Sequence, residues 1–216
     1  MTGGLLALTF DDGPDPEITP QLLDVLEQYH VPATFFLLGC RITSETTHIL
    51  QRAVKLGCEM GNHSYSHPYL TVLTPRQITQ EVSSATQRII LATGQTPRFF
   101  RPPYLAVRGN IFTLISMPFI GGYGVRDYDE NVTEAERYSG VMRIAEDGRI
   151  ILLHDFAGNT QTVGAVRRLV PDLLARGFRF VTVSQLFQAK GVTPSNTDGI
   201  IYSYPGQTTM YAPDAT

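Results

Sequence analysis

With 216 residues, 43% of them apolar and 17% charged, the chain has the length and composition of one large globular domain with ample core material. Seventeen basic against twenty acidic residues give a formal net charge of −3, which leaves no basic footprint for nucleic acid and no polybasic patch for a membrane surface. No apolar run approaches the roughly 20 residues that cross a bilayer as a helix.

The chain opens Met1-Thr2-Gly3-Gly4 straight into a strand pattern, without a secretory signal. Residues 5–10 read as the first strand. Thr19-Pro20 then reads as an N-cap followed by proline at the first helical position, with Leu22, Leu23, Leu26 and Tyr29 on one helical face. Residues 33–38 form a second strand, 45–56 a helix closed by Gly57, and 58–62 a third strand. Thr74-Pro75 starts a helix over 75–92 with Ile78, Val82, Ala85 and Ile89 as its stripe. Phe99-Phe100 is a minimal fourth strand, a short helix ends over 111–115, and 118–123 is a fifth strand. A helix over 133–146 stops at Asp147-Gly148, and residues 150–153 are a continuous apolar strand. A helix over 162–176 ends at Gly177, and 178–183 is the last strand. From Lys190 onward Gly, Pro, Ser, Asn and Thr accumulate, so residues 1–190 read as one domain and 191–216 as a mobile C-terminal tail.

Strands alternating with helices argue for a parallel sheet of about seven strands with helical crossovers. A doubly wound sheet and a barrel both fit, and in both the site lies at the C-terminal ends of the strands. Cys40, just past one strand, and Cys58, at the start of the next, lie too far apart for a disulfide and read as two free, partly buried thiols.

Polar residues gather at the strand ends. Asp11-Asp12 follow the first strand, "NHSYSH" (62–67) the third, "RPPY" (101–104) the fourth, "GVRDYD" (124–129) the fifth and His154-Asp155 the sixth. His63 and His67, four apart, share a face if their segment makes a helical turn. With Asp12 they make a three-ligand set with open positions, the pattern of a catalytic divalent metal. Such an ion lowers the pKa of bound water to near 7 and polarises a carbonyl. Asp11, beside Asp12 but alternating to the other side, suits a general base, and His154, titrating near neutrality, a general acid. Arg101 is placed to orient Asp11, and Asp127 to orient His154.

"TFDDG", "NHSYSH", "RPPY" and "LLHD", in this order at these strand ends, resemble the NodB-homology polysaccharide deacetylases, carbohydrate esterase family 4, over roughly residues 5–187. The resemblance implies a distorted, incomplete (β/α) barrel of about seven parallel strands. It makes Asp11 the catalytic base, His154 the general acid, and Asp12, His63 and His67 the ligands of one ion, usually zinc, with cobalt or nickel as alternatives. Arg101 matches the third-motif arginine, the Tyr104 N–H an oxyanion donor, and Leu152 the wall of the acetyl-methyl pocket. The fourth motif departs: Asp127-Tyr128 match its closing Asp-Trp, whereas Gly124 stands where its first Asp belongs. Tyr128 still supplies an aromatic wall, and the departure falls on substrate selectivity.

The resemblance thus points to a secreted, metal-dependent hydrolase that removes acetyl groups from a carbohydrate polymer outside the cell by attack of metal-bound water. The substrate leans to O-acetyl xylan, with N-acetyl groups of chitin, chitooligosaccharides or peptidoglycan as the alternative. The protein is expected to be a monomer, or a module of a larger enzyme. An inactive carbohydrate-binding relative is the runner-up of another class, although all five central residues are present. A phosphoesterase would need a second metal cluster or a Gly-rich phosphate loop, and neither is visible.

Overall fold

The computed structural model describes residues 3–209. In chain order these form β1 (Leu5–Asp11), α1 (Ile18–Gln28), β2 (Thr34–Leu37), α2 (Thr47–Lys55), β3 (Glu59–Asn62), α3 (Pro75–Thr93), α4 (Ile111–Leu114), β4 (Phe119–Ile120), β5 (Tyr123–Gly124), α5 (Glu134–Ile144), β6 (Ile150–His154), α6 (Thr160–Ala175), β7 (Arg179–Phe180), α7 (Val183–Ala189) and β8 (Ile201–Tyr202). Every strand pair is parallel, in the order β3-β2-β1-β6-β5, with β7 alongside the start of β1. Phe100 bridges Asn62 of β3 to Phe119 of β4, so single-residue contacts span the gap that regular ladders leave open. This is a distorted, incomplete α/β barrel.

The central strand shows how the barrel positions chemistry. Leu6, Leu8 and Phe10 point outward into the helix-covered core, together with Phe35, Leu37, Ile151 and Leu153. Side chains alternate along a strand, so Ala7, Thr9 and Asp11 face the barrel interior, where Ala7 meets Phe36 and Ile150. Helix α7, with Val183, Leu186 and Phe187, packs against the same interior cluster and closes the N-terminal end of the barrel. Burial on both faces is why these strands read as continuous apolar runs.

Several local expectations are corrected. Helix α1 starts at Ile18, and Thr19 is not its cap: Asp15 Oδ1 accepts from the Glu17 and Ile18 amides at 3.0 and 2.8 Å, and the fully buried Thr19 hydroxyl donates to Asp155 Oδ2 at 2.5 Å. The strand expected over 118–123 divides into β4 and β5 around Gly121-Gly122, and Phe99-Phe100 contributes only the Phe100 bridges. The last strand stops at Phe180, because Thr182 and Gln185 form a capping box that starts α7. The mobile tail is corrected too: Ile200, Ile201 and Tyr202 are buried, β8 pairs with β4, and the Ser203 carbonyl accepts from the Ile150 amide at 3.0 Å. Polar composition marked that segment as loop, while three consecutive buried apolar residues anchor it. Residues 210–216, the rest of the expected tail, lie outside the described residues. Cys58 is buried, with its thiol pushed up to about 11 by burial, whereas Cys40 is exposed rather than partly buried, and both are free.

Candidate functional site

Asp11 ends β1, and its ladder partner in β6 is His154. Neighbouring strands lie about 4.8 Å apart, so the register sets the carboxylate and the imidazole side by side on the interior face, although 142 residues separate them in sequence. Asp11 is buried and paired with Arg101, Nη1 to Oδ1 2.5 Å. Arg101 is itself fully buried: Nη1 also donates to Thr9 Oγ1 at 2.9 Å, Nη2 to the Gly121 carbonyl and Nε to the Ile120 carbonyl at 3.3 Å. Its guanidinium lies 4.0 Å above the Phe36 ring. Desolvation of so deep a cation lowers its pKa, and the Asp11 charge opposes that.

Asp12 does not obey the strand alternation. Its φ of +74° turns the chain left-handed, so its side chain returns to the rim that Asp11 faces. The glycine that follows is required by space, since a Cβ on Gly13 would stand 2.2 Å from Asp155 Oδ2. His63 and His67 are brought together not by the helical turn expected but by left-handed kinks at Ser64 (φ +71°) and His67 (φ +61°). His63 Nε2 lies 3.4 Å and His67 Nε2 3.3 Å from Asp12 Oδ1, and the three ligand atoms fall within 4.8 Å of one another. His63 Nδ1–H donates to the Arg101 carbonyl at 2.7 Å, which leaves Nε2 free to ligate.

This set fits a divalent cation. Asp12 Oδ1 is buried without a hydrogen-bond partner, the condition of an oxygen awaiting a ligand. Burial raises the Asp12 pKa, but the neighbouring His63, with the charges of His67 and His154, outweighs it and brings the carboxyl down to about 2. Burial, aided by the His63 charge, lowers the pKa of His67 and so favours the neutral form that coordinates.

Across the cavity His154 Nδ1 lies 2.8 Å from Asp127 Oδ1, and its backbone N–H donates to Asp127 Oδ2 at 2.8 Å. Burial lowers the His154 pKa, but the hydrogen bond and charge of Asp127, with the charges of Asp11 and Asp12, carry it up to about 9. The Thr162 hydroxyl donates to Asp127 Oδ2 at 2.9 Å, and the buried Arg137 donates to Thr162 at 2.9 Å and to Asn159. The Asn159 amide in turn donates to the His154 carbonyl at 2.9 Å. Neither Thr162 nor Arg137 stood out in the sequence, because helix residues that support a loop carry no motif. Thr9, two residues before Asp11 on the same face, had a signal: a hydroxyl on the inward side of an apolar strand.

Asp155 was likewise unassigned. It is fully buried, with Oδ1 unpaired, and burial, helped by the charges of Asp12 and Asp11 against the Thr19 hydrogen bond, pushes its carboxyl up to about 7. The remaining sequence candidates line one cavity of about 550 Å³ with Asp11, Asp12, His67 and His154: Tyr104, Tyr128 and Leu152. Tyr104 is left-handed (φ +59°), and Tyr128 stands edge-on to His154 at 5.7 Å. Gly124 also lines the cavity, and a Cβ there would meet Leu152 only at ordinary contact distance, 3.8 Å from its carbonyl.

A parallel α/β barrel whose strand ends hold an Asp-His-His set beside a buried carboxylate and a partly buried imidazole defines a hydrolase-type site. The family model described as polysaccharide deacetylase matches residues 1–116. The chain belongs to that family, the NodB-type carbohydrate esterases of family 4. It is 45% identical over 191 residues to a bifunctional xylanase/deacetylase of Pseudobutyrivibrio xylanivorans, covering 88% of this chain but 32% of that one, so it spans about a third of that relative's length. Among solved structures, the Xyl-CE4 domain of a multidomain xylanase from the hindgut metagenome of Trinervitermes trinervoides superposes with a TM-score of 0.92 at 43% identity, covering 95% of this chain and 100% of that one. A family 4 acetyl xylan esterase from Clostridium thermocellum in complex with a cobalt ion gives 0.91 at 37% identity, covering 94% and 100%. Peptidoglycan deacetylases are also relatives, at 32–35% identity.

Proposed function

We propose that the protein is a metal-dependent deacetylase of an acetylated polysaccharide, acting on O-acetyl groups of xylan. The observation that carries the reading is the convergence of Asp11 and His154, ladder partners on β1 and β6, upon the cavity that Asp12 and His67 also line, with the buried His63 beside Asp12. A divalent cation on Asp12, His63 and His67, with zinc as the first candidate and cobalt or nickel as alternatives, would activate water and polarise the acetyl carbonyl. Asp11, held by Arg101, removes the proton from the attacking water. The Tyr104 N–H donates to the oxyanion, and Leu152 covers the acetyl methyl group. His154, kept protonated beside Asp127, delivers the proton to the leaving sugar oxygen as acetate departs.

Xylan is supported by what the similar proteins are called: a xylanase/deacetylase, a xylanase domain and an acetyl xylan esterase. Gly124 supports it too, because the missing side chain leaves room beside Leu152 for a substituted sugar. Such a polymer lies outside the cell, so the protein would work there, as a monomer or as a module of a longer enzyme.

The test is acetate release from acetylated xylan, chitooligosaccharides and peptidoglycan, with and without a chelator. Release from xylan that stops with chelator and returns with zinc is the expected result. Preference for an N-acetylated polymer would move the assignment to the N-deacetylase branch. Asp11→Asn should retain metal yet lose about 10²–10⁴-fold in turnover, and a fully active variant would remove Asp11 from its role.

A further inference from the structure

Tyr69 and Tyr104 lie face to face at the edge of the cavity, ring centroids 3.8 Å apart and planes 9° from parallel. Tyr104 forms part of the cavity wall and stands edge-on to the His67 ring at 4.5 Å. Three rings thus run in series from the Asp-His-His set to the surface, and Tyr69 ends the row. Despite this stacking Tyr69 remains 51% exposed and Tyr104 53%. The next residue, Leu70, is buried in the cluster with Ile78 and Phe100, so Tyr69 stands on an anchored turn. Folding does not call for an aromatic at position 69, because Leu70 already makes the apolar contact.

We propose that the outer face of Tyr69 is a subsite for a pyranose ring of the substrate chain, outside the sugar whose acetyl group reacts; this rests on the deacetylase reading above. A pyranose ring has a face of C–H bonds that an aromatic ring shields from water, while its hydroxyls stay solvated at the rim. Tyr104 is the poorer platform, since Tyr69 covers one of its faces and the ring itself forms part of the cavity wall. A sugar on Tyr69 is separated from the metal ligands by the thickness of Tyr104, so it must belong to a neighbouring residue of the same chain. Binding energy gained there reaches only substrates long enough to span both positions. The site therefore selects for polymer over short acetylated sugars.

The experiment compares the metal-loaded wild type with Tyr69→Ala and Tyr69→Trp. The substrates are the acetylated disaccharide and the acetylated polymer of whichever series, xylan or chitin, the wild type deacetylates. In Tyr69→Ala the ratio of kcat/KM for polymer to that for disaccharide is expected to fall about tenfold, chiefly through KM, and Tyr69→Trp is expected to hold it. An unchanged ratio in Tyr69→Ala, whether both substrates fall together or neither does, overturns the proposal, as does Tyr69→Trp failing like alanine. If the wild type releases acetate from no polymer, the deacetylase reading fails on its own. Tyr69 is then judged by retention of wild type and Tyr69→Ala on insoluble xylan and chitin, and equal retention overturns the subsite.

Discussion

Asp127→Asn removes the charge and one of the two oxygens that accept from the His154 ring, the His154 amide and Thr162. The amide keeps the volume, while the group that raises His154 by hydrogen bond and by charge is lost. The rise from the ordinary 6.5 to about 9, at about 1.36 kcal/mol per pKa unit, corresponds to roughly 3 kcal/mol in favour of the imidazolium. With Asp127 neutral, burial opposes the remaining pull of Asp11 and Asp12, and His154 is expected back near about 6.5. Near pH 8 an acid of pKa about 9 is ~90% protonated and one of about 6.5 only ~3%, so turnover should fall about thirtyfold. Near pH 6 the same variant should lose less than about twofold. The assay is a pH–rate profile of acetate release, with an NMR titration of the His154 ring as direct control. A loss equal at both pH values, or an alkaline limb that does not move, would refute the argument. The same linkage gives a stability sign: the raised pKa stabilises the wild type fully below about 6.5, and that contribution fades as pH rises through about 9.

Gly13→Ala would press a Cβ to 2.2 Å from Asp155 Oδ2, so the Asp12 turn must shift. Thermal unfolding should show a loss of about 1–3 kcal/mol, and zinc titration a weaker site; wild-type values in both would contradict the packing argument. Arg101→Met leaves Asp11 a buried charge without its partner and should lower the unfolding free energy by about 3–5 kcal/mol in urea denaturation. A loss below about 1 kcal/mol would mean that the pair is far better solvated than its burial indicates.

Most of the site was legible in the sequence because strand-end residues carry their position with them. An apolar run ending in Asp11-Asp12, and another ending in His154, announce the same rim without any knowledge of strand order. Asp127, Arg101 and Leu152 followed from the same placement and from the family motifs. Thr162 and Arg137 did not, since each acts through hydrogen bonds to another side chain and sits in a helix, where polar residues are ordinary. Thr19 was misplaced for a related reason: Thr-Pro has the form of a helix start, but the buried Asp155 carboxylate holds its hydroxyl, and Asp15 caps instead.

Hydrophobic period and turn chemistry, both local, determined the order of strands and helices and the residue types on the candidate site's rim. Tertiary structure decided what depends on register and on backbone sign. Pairing of β1 with β6 makes Asp11 and His154 neighbours. Left-handed residues at Asp12, Ser64 and His67 aim three ligand atoms at one point, against strand alternation and without a helical turn. A run rich in polar residues became β8 because Ile200, Ile201 and Tyr202 found an apolar surface to cover. Composition records which side chains are available, and only long-range burial and pairing determine which conformations they are held in.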